Sequence, residues 1–143
     1  IKGFKKIVEK YKIKYKIIEA KFEETGSGYR IVKNLIKERK FDFDAIICGN
    51  DTIAIGVIKA LIEEGVEVPQ KVSVVGYDNI QLTQFYNIPI TTVDPLAHLM
   101  GRKAGEILLK WITEKKAPSE RKIKIPSQLV IRESCGCKGV KYE

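Results

Sequence analysis

Two short stretches set an amide beside a carboxylate in apolar surroundings. CGNDTIAIG (48–56) carries Asn50 and Asp51, and VVGYDN (74–79) carries Asp78 and Asn79 after Tyr77. A third candidate is Phe22, which ends the run YKIIEAKF. An aromatic ring packs its face against the C–H face of a sugar or against a base. An amide both donates and accepts, while a carboxylate accepts from two hydroxyls. These types together suit a small polyhydroxylated ligand. Such a site is selective, because a molecule lacking one hydroxyl leaves protein groups unpaired. Each residue also has a plainer role. Asn50 or Asp51 can cap the helix that starts there, with Asp51 the expected cap. Asp78-Asn79 can be only a turn, and Phe22 only core.

The elements that must position these residues alternate along the chain. Helical spacing runs from Gly3 to Tyr11, and YKIIEAKF reads as a strand. Gly26, Ser27 and Gly28 break the chain before an amphipathic helix from Tyr29 to Lys40. DAIIC (44–48) is a short apolar strand of the kind buried on both faces of a parallel sheet. Asp51 to Glu64 forms a helix ended by Gly65. KVSVVG (71–76) is a strand, 77–88 a loop with a short helix, and PITTV (89–93) extended. A long helix covers Leu96 to Glu114, and Lys122 to Arg132 is extended around Pro126. This alternation predicts an α/β fold with a doubly wound parallel sheet. In such sheets ligands bind beyond the carboxyl ends of the strands. Phe22, Asn50 and Asp78 all fall at predicted strand ends.

The helix from Asp51 is polar between Thr52 and Ile62 only at Thr52 and Lys59. A helix apolar all round is covered on both sides. One side can lie on the sheet. The other, with Ile55, Ile58 and Ile62, is expected to meet either another helix of the chain or a second copy.

The 143 residues suit one domain, and 44 % apolar content suffices for a core. The net charge of +8 permits nucleic-acid contact, but the lysines are scattered among glutamates as on a solvated face. No apolar run reaches the roughly 18 residues of a membrane span. No signal peptide is visible at IKGFKKIVEK, and the missing initiator Met suggests a piece of something longer. Cys48 reads as a small core residue, and the three thiols suit a reducing cytoplasm. Cys135 and Cys137 lack further ligands, the single His98 being distant, so no metal and no cofactor is expected. With no nucleophile–base pair and no phosphate-cradling loop, an enzyme is not expected.

Several segments in order resemble the effector-binding part of the LacI/GalR family of transcription regulators. They are GNDTIAIGVIKALIEEG (49–65), VPQKVSVVGYDN (68–79), PITTV (89–93) with MGRKAGEILL (100–109), and LVIRESCG (129–136). Gly3-Phe4 and the GSGY turn are similar to upstream segments of that family. The resemblance implies a periplasmic-binding-protein-like fold of type I, with two α/β subdomains closing over a ligand. Residues 1–93 would be the C-terminal subdomain. Residues 94–143 would supply a crossover helix packed on the other subdomain and a returning strand. By the same resemblance, Phe22, Asn50 and Asp78 would bind a small effector, with a sugar the first expectation. Pro95 takes the place of a polar residue that many members carry after TTV. A family Arg near the Gly-Phe pair would fall ahead of Ile1. Ile55, Ile58 and Tyr86 match positions near a homodimer interface. Operator DNA would be held by a headpiece outside this chain, in the cytoplasm. The alternative is a sugar-binding protein of a transport system, or the sensor of another receptor, with the same fold.

Overall fold

The computed structural model describes residues 1–20, 25–115, 117 and 122–137. Helix α1 (Lys2–Lys10) precedes α2 (Thr25–Lys37), strand β1 (Ala45–Ile47) and helix α3 (Asp51–Glu63). Then come β2 (Ser73–Tyr77), the short α4 (Leu82–Phe85), β3 (Thr91–Asp94), α5 (Ala97–Glu114) and β4 (Gln128–Val130). A 3-10 turn at Glu133–Cys135 follows β4. The four strands form one sheet in the order β1-β2-β3-β4. β1 and β2 are parallel with Ala45 opposite Ser73, and β2 and β3 are parallel with Val75 opposite Thr91. β4 returns antiparallel, placing Leu129 opposite Val93 and Gln128 opposite Asp94. The expected α/β class with a mainly parallel sheet is therefore present.

The core centres on α3. Ile58, Leu61, Val72, Val74 and Ile90 are fully buried, and Val32 nearly so. α3 is covered on one side by the sheet and on the other by α2, which explains its apolar circumference. Its end is fixed by Gly65 at φ +71, with the Val66 amide reaching back to the Leu61 carbonyl. That six-to-one bond satisfies a terminal carbonyl, and Val66 packs on the core beyond it. Tyr29 donates to Glu63, and Lys33 and Lys59 pair with glutamates, along the exposed α2–α3 seam.

Three sequence expectations are corrected. The run 15–22 is not a strand over its described part: residues 13–20 carry no ladder, and Ile13, Tyr15, Ile17 and Ile18 remain substantially exposed. Alternating apolar residues make a strand only where a neighbour supplies hydrogen bonds, and none is recruited here. β1 is consequently the edge of the sheet, and Ile47 is 65 % exposed rather than buried on both faces. The Gly-Ser-Gly segment is no break, since it lies in the first turns of α2. Glycine is required there by contact: a Cβ on Gly28 would stand 2.5 Å from the Ile53 carbonyl oxygen. Its absence lets α2 close onto α3.

α5 carries no buried residue, and Leu108, Leu109, Trp111 and Ile112 are half exposed or more.

Candidate functional site

The carboxyl edge of the sheet is built where β1 runs into α3, β2 into α4, and β3 into α5. Asn50 stands before the first turn of α3 in extended backbone, and its Oδ1 accepts from the Ile53 amide at 2.8 Å. It is the N-cap, satisfying one of the free amides of the first turn. Asp51, the residue expected to cap, does something else. It is fully buried. Its Oδ1 accepts from the Thr92 hydroxyl at 2.6 Å and its Oδ2 from the Ile80 amide at 2.9 Å. One carboxylate thus joins the start of α3, the end of β3 and the loop after β2. Its charge also lies within the first turn of a helix, where the N-terminal dipole favours it. Gly76 leaves the space, because a Cβ there would fall 2.1 Å from Asp51 Oδ1.

This arrangement shapes the loop that presents Asp78. Asp78 has φ +108 and Asn79 φ +50, and the Asp78 amide donates to the Val93 carbonyl at 2.9 Å. Non-glycine residues held at such angles cost of order 1–3 kcal/mol each and persist only where surrounding contacts impose them. The Asp78 side chain is exposed at the strand end. Partial burial, and then the charge of Asp51, push its carboxyl above the ordinary carboxylate value. Cys48, beneath this edge, is buried, and burial with the Asp51 charge pushes its thiol up to about 12. It therefore remains a neutral core residue.

Of the candidate ligand residues, Asn50 and Asp78 sit at neighbouring strand ends, linked through Asp51. Phe22 lies outside the described residues. Of the candidate interface residues, Ile58 is fully buried and Ile55 9 % exposed within this chain, under α2 and the sheet. Tyr86 is half-buried, its hydroxyl 3.4 Å from the Ile55 carbonyl. Ile62 on α3 and Phe85 beside Tyr86 in the chain are exposed. A shallow depression of about 280 Å³, lined by Ile62, Val66, Val68 and Ile88, lies at the far end of α3 from Asn50. Among the described residues no group of three His, Cys, Asp or Glu side chains could hold a metal. No described helix is long and apolar enough to cross a membrane.

The tail is the feature that residue-type reasoning missed. The Ser134 hydroxyl is fully buried, donates to the Val74 carbonyl at 2.6 Å and accepts from the Thr91 amide at 2.9 Å. The amides of Glu133 and Ser134 both reach the Pro89 carbonyl at 3.0 Å. The Arg132 guanidinium donates to the Ile90 carbonyl and the Asn79 amide oxygen at 2.8 Å, and to the Thr83 hydroxyl at 3.1 Å. RESCG is therefore a clasp that returns the chain to β2 and β3. Ser134→Ala leaves one amide and one carbonyl unpaired in the core and is expected to cost about 2–3 kcal/mol. Urea denaturation checks this, an unchanged midpoint ruling out the clasp.

A mainly parallel sheet with helices against it and polar residues at its strand ends is the architecture of periplasmic-binding-protein-like domains. The chain belongs to that family, since the profile of the periplasmic binding protein-like domain matches residues 1–135. Its relatives are LacI-type regulators. The HTH-type transcriptional repressor PurR of Haemophilus influenzae (strain ATCC 51907 / DSM 11121 / KW20 / Rd) is 36 % identical over 137 residues, covering 92 % of this chain and 40 % of the repressor. A LacI family transcriptional regulator from Arthrobacter sp. FB24, solved in complex with lactose, superposes with a TM-score of 0.84 at 26 % identity. That match covers 94 % of this chain and 49 % of the regulator. Another, from Enterococcus faecium with bound ribose, has a TM-score of 0.81 at 26 % identity, covering 92 % and 48 %. The chain thus spans about 40 % of the length of the curated relative, and these relatives are regulators rather than enzymes.

Proposed function

We propose that this chain is the effector-sensing part of a LacI-type transcriptional regulator. Residues 1–93 serve as the C-terminal subdomain, and residues 94–143 as the crossover helix and returning strand. A small effector, in the first instance a sugar, binds beyond the carboxyl ends of the strands and contacts Asn50, Asp78 and Phe22. Its binding biases the arrangement of the two halves of the intact protein and so changes operator affinity at a headpiece outside this chain. The intact regulator acts in the cytoplasm as a homodimer. Tyr86 and the outer side of α3 lie near the partner, with Ile55 and Ile58 supporting that surface from beneath.

The observation that carries this reading is the exposed Asp78 side chain, on backbone held at φ +108 at the end of β2, with Asn50 as the N-cap of α3 at the end of neighbouring β1. The lactose and ribose in the two related regulators support the sugar class. The bare apolar surface of α5 suits a helix that packs on the half of the protein not included here.

Asn50→Asp separates the two roles of that residue. Aspartate keeps the acceptor for the Ile53 amide, so α3 remains capped. It replaces the side-chain amide nitrogen by a second acceptor oxygen. Effector affinity of the intact protein is expected to fall by about 1–3 kcal/mol, as for a buried polar pairing lost. Calorimetry showing wild-type affinity would remove Asn50 from the site.

A further inference from the structure

The chain leaves this sheet at the end of β3 and returns to it at β4, and one side-chain knot ties both crossings to the loop that presents Asp78. Its centre is Asn79. The Asn79 amide nitrogen of the side chain donates to Asp94 Oδ2 at 2.9 Å, and its Oδ1 accepts from Arg132 at 2.8 Å. The Asn79 backbone amide meets the Thr92 hydroxyl at 3.3 Å, and that hydroxyl donates to Asp51. Asp94 is the last residue of β3, where the chain departs. Its Oδ1 accepts from the Leu96 amide at 2.7 Å, and Leu96 is itself left-handed at φ +56. The bond from Asn79, then that from the Leu96 amide, hold the Asp94 carboxyl below the ordinary carboxylate value, with His98 adding to the effect. Arg132 lies two residues past β4 on the returning segment, and its guanidinium also grips Ile90 and Thr83.

Two left-handed non-glycine residues, Asn79 and Leu96, share one hydrogen-bonded cluster through Asp94, and a third, Asp78, adjoins it in the chain with its amide on the Val93 carbonyl. Left-handed backbone at such residues is retained only while its partners stay in place. Movement of either crossing segment must change the partners of Asn79, and Asn79 adjoins Asp78. We propose that Asn79 is a positioning residue that couples the outgoing and returning crossing segments to Asp78. Arg132 and Asp94 are its two grips. Displacement of either segment releases Asn79 and with it the conformation of Asp78, and a ligand that fixes Asp78 in turn fixes the crossings. That the ligand on Asp78 is the effector rests on the function proposed above. The mechanical coupling does not.

Amide hydrogen exchange on the intact protein tests the coupling without any ligand. Arg132→Lys keeps the charge but loses the fork to Asn79. Asn79→Gly suits the left-handed backbone and deletes both side-chain bonds. In each variant the amides of Asp78, Asn79 and Leu96 are expected to exchange faster together, by about tenfold or more, as one local opening. Those of Val74 and Val75 should keep their wild-type rates. Exchange at Asp78 unchanged while Leu96 accelerates, or acceleration of all of β2 in both variants, would overturn the proposal. D-ribose added to the wild type serves as the probe of the effector reading. Failure of ribose to slow exchange at Asp78, with the three amides still coupled in the variants, would count against a sugar there and leave the coupling standing.

Discussion

Asp51→Ala is expected to lower the unfolding free energy by about 3–5 kcal/mol, from the buried groups it leaves unpaired. The Thr92 hydroxyl, fully buried, and the Ile80 amide, part-buried, both lose their acceptor. The loss goes beyond one contact because the Asp51 side chain joins α3 to Thr92 of β3 and to the loop after β2. Asp51→Asn is the informative companion. It retains an acceptor for one partner but brings an amide donor beside groups that are already donors. It should therefore recover only part of the loss. Denaturant unfolding with both variants measures this. Equal stability of Asp51→Ala and wild type would show that the carboxylate does not organise the strand ends.

Gly28→Ala is expected to destabilise by about 3 kcal/mol, despite a change that normally favours a helix. In an exposed helix interior, alanine for glycine gains about 1 kcal/mol. Here the added Cβ would stand 2.5 Å from the Ile53 carbonyl oxygen and 3.0 Å from the Ile53 and Val57 methyls. The nearest atom is helix backbone, which cannot swing aside as a flexible side chain does. The two helices must separate, loosening the seam over fully buried Ile58 and Leu61. Clash therefore outweighs propensity. Thermal or urea unfolding decides the sign, and a stabilised Gly28→Ala would mean that α2 does not approach α3 this closely.

Local chemistry was legible where its cause is local. The α3 boundaries follow from Asn50, Asp51 and Gly65, and the burial of α3 from its unbroken apolar sequence. The division of labour between Asn50 and Asp51 was not legible. Either residue caps well, and the deciding partner, Thr92, stands 41 positions away. The role of Ser134 was hidden for the same reason, since Val74 and Thr91 meet it only once β2, β3 and the tail are assembled. Gly28 misled because glycine signals both a chain break and a close helix contact, and only a neighbouring helix distinguishes them. The run 15–20 misled because alternation reports a pleat but not a partner. The candidate ligand residues stood out because polar groups next to apolar strands need a reason to be there. The family segments around them added order along the chain.

The most direct test titrates D-ribose, lactose and cellobiose calorimetrically into the intact protein, as wild type and as Asp78→Ala. At least one sugar is expected to bind the wild type, and its affinity should fall by about tenfold or more in the variant, the loss of a hydrogen bond to a charged group. Equal affinity in both proteins would contradict a site at the strand ends, and no heat with any of the three would contradict the sugar class.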